Sequence, residues 1–150
     1  MLTKELLLDF SKFEKKIFAL NDFLYKNPEL GYEEVKSHKE ITKLISNSIS
    51  SAKIKKVSEM PTAFTGLINK KGGNQRTISI CIEYDALPGV GQACGHNIIS
   101  SMGIGAFYLL SKKIDKLSDA IQIVGCPAEE ILPLSFPNGG GGGKIKLLEK

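Results

Sequence analysis

Cysteine is scarce in this 150-residue chain, and the three present, an odd number at wide spacing, exclude a disulfide framework. Long apolar runs are missing as well. The longest, Ile98 to Leu110, is broken by Ser100 and Ser101 and is too short to span a bilayer. At the N-terminus, Glu5 and Asp9 interrupt the stretch where a signal peptide would be continuously apolar. These absences predict a cytoplasmic protein with no membrane partner. No large excess of either charge sign is present: the net charge is +4 and the lysines are scattered. The densest groups, Lys53, Lys55 and Lys56, then Lys70 and Lys71, lack the interleaved aromatics of a nucleic-acid surface and read as a solvated strand edge. No nucleic-acid partner is expected.

Several motifs are excluded by single positions. A phosphate loop would need glycine at Asn138 and Ser or Thr at Ile145 around the run Gly139 to Gly143. A dinucleotide fingerprint starting at Gly89 fails at Cys94, and there is neither a Cys-x-x-Cys nor a His-Glu-x-x-His.

What remains is ordinary in bulk: 42% hydrophobic and 24% charged residues suit one globular domain with a sizeable core. Leu6, Leu7, Phe10, Phe13, Ile17, Leu20 and Leu24 recur at helical spacing and predict one helix from Thr3, a plausible cap, to Lys26. Asn27-Pro28 ends it. A second helix is expected from near Tyr32 to about Ile45, with Val35, Ile41, Leu44 and Ile45 inward. The period then changes. Ala52 to Val57 and Phe64 to Ile68 read as strands, Lys71 to Asn74 as a turn, and Thr77 to Ile82 as a buried central strand. Asn97 to Ser111 reads as a helix whose Ser101, Gly103, Gly105 and Ala106 allow close packing on a sheet. Ala120 to Val124 is a second buried strand, Gly139 to Gly143 a flexible loop, and a last helix begins at Gly143. Helices first, then strands interleaved with a helix, predict an α/β three-layer sandwich.

The chemistry concentrates in two stretches. Glu83 to Asn97 and Gly125 to Glu130 supply one thiol-and-imidazole pair and four carboxylates at strand ends and turns. Cys94-Gly95-His96 places two ligands for zinc-like metals around a glycine that lets both reach one centre, or is a chance surface pairing. A Cys94 thiolate would gain from the following helix dipole. Glu129 and Glu130 follow a strand, where ligands and bases collect in α/β folds, and would divide metal binding from proton transfer. The alternative is a solvated helix start. Asp85 is either a carboxylate that orients a ligand or an ordinary turn residue. Cys126 reads as a buried small residue, Cys81 as core, and His38 as a surface histidine.

Four motifs in order, Asn27-Pro28-Glu29-Leu30-Gly31-Tyr32-Glu33-Glu34, Glu83-Tyr84-Asp85-Ala86-Leu87-Pro88-Gly89, Ala93-Cys94-Gly95-His96-Asn97 and Pro127-Ala128-Glu129-Glu130, resemble the M20 metallopeptidase and amidohydrolase family. The closest likeness is to its dipeptidase-like and aminobenzoyl-glutamate-hydrolase-like branch. The resemblance implies a zinc-peptidase type three-layer α/β/α sandwich, here only the N-terminal half of the catalytic domain, spanning 1–150 without the lid domain that aids homodimer formation. It implies a site with two divalent ions, zinc, manganese or cobalt, and hydrolysis of amide bonds in N-acyl amino acids, dipeptides or aminobenzoyl-glutamate. Sulfur at Cys94 favours zinc among these. Residue by residue, Cys94, His96 and Glu130 match metal ligands, Glu129 matches the general base that takes a proton from the attacking water, and Asp85 matches the carboxylate near the metals.

The departures are Asn97 in place of the commoner aspartate, Gln92 where histidine is frequent, and a long apolar insert from Ile131 to Asn138. The family's further ligand histidines fall beyond position 150. The first expectation is therefore a hydrolase fragment, inactive alone, ending inside a helix with no capping glycine. The alternatives are a metal-binding subunit that docks to a partner carrying the missing half, and an interaction domain that kept the fold and lost the chemistry.

Overall fold

The computed structural model describes residues 2–69, 76–130 and 142–148. The expected turn at Lys71 to Asn74, the insert Ile131 to Asn138 and most of the expected glycine loop lie outside the described residues. Elements follow in the order α1 (Leu2–Ser11), α2 (Glu14–Lys26), α3 (Val35–Ser48), β1 (Lys53–Val57), β2 (Met60–Ile68), β3 (Thr77–Glu83), α4 (His96–Ser111), β4 (Ala120–Cys126) and α5 (Gly143–Leu148).

The expected single N-terminal helix is two. The Phe13 backbone N–H bonds Phe10 O at 2.8 Å in a tight turn, which drives the Phe13 ring into the core. There it stacks on Tyr108 with ring centroids 4.1 Å apart. Burial of that aromatic outweighs the continuity of one helix. Leu7, expected inward, is exposed as a result.

The second helix starts at Val35, not Tyr32, because Tyr32 has φ 65° and cannot open a right-handed helix. Its N-terminus is capped from a distance: the Glu29 carboxylate accepts hydrogen bonds from Lys36 N at 3.0 Å and Ser37 N at 2.7 Å. Val35 is exposed, whereas Ile41 and Ile45 are fully buried.

The four described strands run β1-β2-β4-β3. β1, β2 and β4 pair antiparallel, and β3 and β4 pair parallel with α4 as the crossover. Alternation puts Phe64, Ile68, Ile82, Ile121 and Ile123 on one face, where they form the core with α2, α3 and α4. α4 comes close because a side chain at Gly103 would collide with Ile82.

Two expectations about this sheet need correction. Thr77 to Ile82 forms an edge strand among the described strands, with one buried residue, because β3 finds its partner on the β4 side alone. Cys81, on the face opposite Ile80 and Ile82, is exposed. The fold class stands: a mixed α/β sheet with helices. Among the described residues the helices α2 to α4 lie on one face, while Ser79 and Cys81 are exposed on the other. His38 is also not a plain surface residue. It is half-buried, edge-on to Phe64 at 5.7 Å, and burial lowers its pKa.

Gly125 in β4 tests the tightness of this core, since a Cβ there would lie 2.1 Å from the fully buried Phe64 ring. Gly125→Ala is expected to lower the unfolding free energy by about 1–3 kcal/mol in urea denaturation. An unchanged midpoint would show that the Phe64 side of the sheet has room.

Candidate metal centre

Parallel pairing sets the site. Glu83, the last residue of β3, lies beside Cys126 at the end of β4, so the segments that follow both strands emerge together. The first leads through Tyr84 and Asp85 to α4. Gly95, at φ 76°, is the N-cap of that helix and allows the sharp entry that turns His96 inward. Ser100 Oγ donates to Glu83 O at 2.5 Å and ties the first turn of α4 back to β3. The second segment leads through Pro127 and Ala128 to Glu129 and Glu130.

His96 is 3% exposed and lies among carboxylates. Its Nδ1 hydrogen-bonds the Asp85 carbonyl at 3.0 Å and sits 3.0 Å from Asp85 Oδ1. Its Nε2 faces Glu83 Oε2 at 3.3 Å, Glu130 Oε1 at 3.5 Å and Glu129 Oε2 at 3.9 Å. Asp85, 1% exposed, reaches across the site, and its Oδ2 accepts the Glu130 backbone N–H at 2.9 Å. One carboxylate thereby fixes both the imidazole and the segment that carries the acidic pair.

The outer frame is held by the first of the four motifs. Glu34, fully buried, accepts the Ala128 N–H at 2.7 Å and holds that alanine at φ 54°, a left-handed conformation that side chains resist. The Glu29 carbonyl accepts the Ala86 N–H at 2.8 Å, just after Asp85. Gln92 donates to Tyr84 O at 3.4 Å and accepts from Asn97 N at 3.1 Å, which folds the loop before α4. Asn97 points away from the acidic centre and donates to Asn21 Oδ1 on α2 at 2.9 Å.

The electrostatics follow from this crowding. Burial alone would depress the His96 pKa, but the hydrogen bond and charge of Asp85, with the charge of Glu83, hold it above the ordinary histidine value. Burial would raise Asp85, yet the hydrogen bonds from His96 and the Glu130 backbone keep it low. The Cys94 thiol is exposed and pushed up to about 11, first by its hydrogen bond with Glu130, then by desolvation and the surrounding carboxylate charges. The gain expected from the α4 dipole is therefore outweighed.

Of the residues expected from sequence, the structure gathers Asp85, His96, Glu129 and Glu130 around one imidazole, with the Cys94 thiol beside Glu130. Glu83, Glu34 and Lys144 were given no role. Glu83 carried a usable signal, a carboxylate at the C-terminal end of a strand. Its side chain, with His96 and Glu129, offers donor atoms within 4.8 Å of one another, a spacing fit for a metal ion. Carboxylates, an imidazole whose Nδ1 is held by Asp85, and an adjacent thiol suit a borderline divalent cation such as zinc.

The candidate site thus lies at the joint carboxyl ends of two parallel strands of an α/β module. No family model matches the chain. It is 31% identical to the Xaa-Arg dipeptidase of Mus musculus over 145 residues, covering 90% of this chain and 32% of the relative. It is 33% identical to the N-acetyldiaminopimelate deacetylase of Lactobacillus helveticus over 133 residues, covering 78% and 34%. A crystal structure of a dinuclear metal-binding M20 peptidase from Bacillus subtilis superposes with a TM-score of 0.73 at 25% identity, covering 81% of this chain and 37% of that one. In sequence and fold the chain is similar to these proteins, and it spans about a third of the length of the two curated relatives.

Metal binding at this centre must displace protons. A Cys94 ligand starts as a thiol with pKa about 11, and His96 has a raised pKa, so apparent zinc affinity is expected to climb steadily from pH 6 to pH 8. Cys94→Ser should bind more weakly and with a shallower pH slope in calorimetric titration. Identical slopes for both proteins would remove the thiol from the ligand set.

Proposed function

We propose that the chain is the ligand-bearing portion of a metal-dependent amidohydrolase or dipeptidase. The substrate class is an N-acyl amino acid, a dipeptide or aminobenzoyl-glutamate. One observation carries the reading: the His96 Nε2 faces three carboxylates while Asp85 holds its Nδ1. An imidazole so oriented is a ready metal ligand once its Nε2 proton is displaced, and the surrounding negative charge favours a cation.

Each residue has a part. Cys94, His96 and Glu130 hold the metal, and Asp85 sets the imidazole orientation. Divalent ions supply polarisation of the amide carbonyl and acidification of the attacking water. Glu129, the more exposed of the adjacent pair, takes the proton from that water and passes it to the departing amine nitrogen. Cytoplasmic residence and a homodimer of the complete enzyme accompany this reading. Three ligands from this chain are too few to close a two-metal centre, so the chain by itself binds metal without turning over substrate.

A second reading, a subunit completed by another polypeptide, is favoured by the free edge of β3 among the described strands and by the exposed Ser79 and Cys81 beside it. Co-purification of one stoichiometric partner that restores activity would support it over the first.

The test is to assay the purified chain, with zinc, manganese or cobalt, against a panel of N-acyl amino acids and dipeptides while measuring bound metal. Bound metal without hydrolysis is the expected result. Robust metal-dependent hydrolysis that Glu129→Gln abolishes would overturn the inactivity of the isolated chain, and absence of metal binding would overturn the reading as a whole.

A further inference from the structure

The acidic centre also contains an ammonium group. Lys144, the second residue of α5, pairs with Glu83 and lies 3.3 Å from Glu129 Oε1. It gets there because α5 packs against the end of β4: Gly143 N donates to Ala128 O at 3.2 Å, and any side chain at Gly143 would collide with the Pro127 carbonyl. The glycine before the lysine is therefore a requirement of this approach.

Two alternative ligand sets share His96 Nε2. One is Glu83, His96 and Glu129, whose donor atoms already lie within 4.8 Å of one another. The other is Cys94, His96 and Glu130, the set the proposed function uses, in which Glu130 Oε1 approaches Nε2 to 3.5 Å. Lys144 touches both carboxylates of the first set, while the contacts of Glu130 are with His96, Asp85 and Cys94. A divalent ion in the first set would share its ligands with an ammonium, and the two like charges would repel. The same ion in the second set leaves the lysine pairs intact.

We propose that Lys144 is a positioning residue that withholds Glu83 and Glu129 from ligation and so directs the metal to Cys94, His96 and Glu130. The inference rests on the metal-binding reading above, and it assigns to a lysine the choice between the set whose donor atoms already lie close together and the set that reading uses.

Cobalt(II) is the probe, because thiolate ligation produces a charge-transfer absorption that carboxylate ligation does not. The native chain is expected to bind cobalt with the thiolate absorption. Lys144→Gln should bind cobalt at Glu83, His96 and Glu129 as well, tightening the affinity of that set by on the order of tenfold or more. Its signature is cobalt bound without thiolate absorption, and the double variant Lys144→Gln with Glu83→Gln should lose it. Lys144→Arg keeps the charge and should behave as the native chain. Equal stoichiometry, affinity and spectrum in the native chain and Lys144→Gln would overturn the role of Lys144, as would cobalt bound to the native chain without thiolate absorption. No cobalt binding to the native chain would instead remove the metal centre on which the inference stands.

Discussion

A single buried carboxylate, Asp85, ties the candidate site together. It lies between two chain segments that meet only because β3 and β4 run parallel, and it bonds both, the His96 ring on one side and the Glu130 backbone on the other. A buried charge is costly unless partners answer it, and here the Glu130 N–H on Oδ2 and the imidazole 3.0 Å from Oδ1 do so. The same bonds give the imidazole its orientation, with Nε2 left to face Glu83, Glu129 and Glu130. Fold and chemistry therefore share one interaction.

Around that keystone, the chain spends buried acidic residues on backbone positions. Glu34 holds Ala128 in a left-handed conformation just before the acidic pair, and Glu29 caps α3 while its carbonyl anchors the residue after Asp85. These contacts link the connection between α2 and α3 to both halves of the site. The segment from Asn27 to Glu34 is thus part of the site's scaffold even though none of its side chains faces His96. Burial raises the Glu34 pKa, which marks the cost of using a carboxyl group as an internal strut.

Much of this was legible in the sequence, for reasons that differ by element. The apolar stretches at Thr77 and Ala120 and the small residues of α4 signalled two strands with a helix between them that packs closely on the sheet, and the carboxyl-end rule led to Glu129 and Glu130. Alternation within β3 would also have placed Cys81 outward, opposite Ile80 and Ile82. Other features left no local trace. The break before Phe13 is hidden because Phe10, Phe13 and Ile17 keep helical spacing across it. The edge position of β3 depends on which strand it pairs with, which a β-branched run does not specify. The Glu34–Ala128 bond joins residues 94 positions apart, and the approach of Lys144 depends on packing of α5 that no motif encodes.

The most direct measurement of the account is the zinc affinity of Asp85→Asn beside the native chain, with circular dichroism to confirm that both are folded. Asparagine keeps the shape but removes the charge that orients and supports the His96 imidazole, so binding should weaken by about 10–100-fold while the fold persists. Equal zinc affinity in a folded Asp85→Asn protein would contradict the central claim that this carboxylate organises the metal centre.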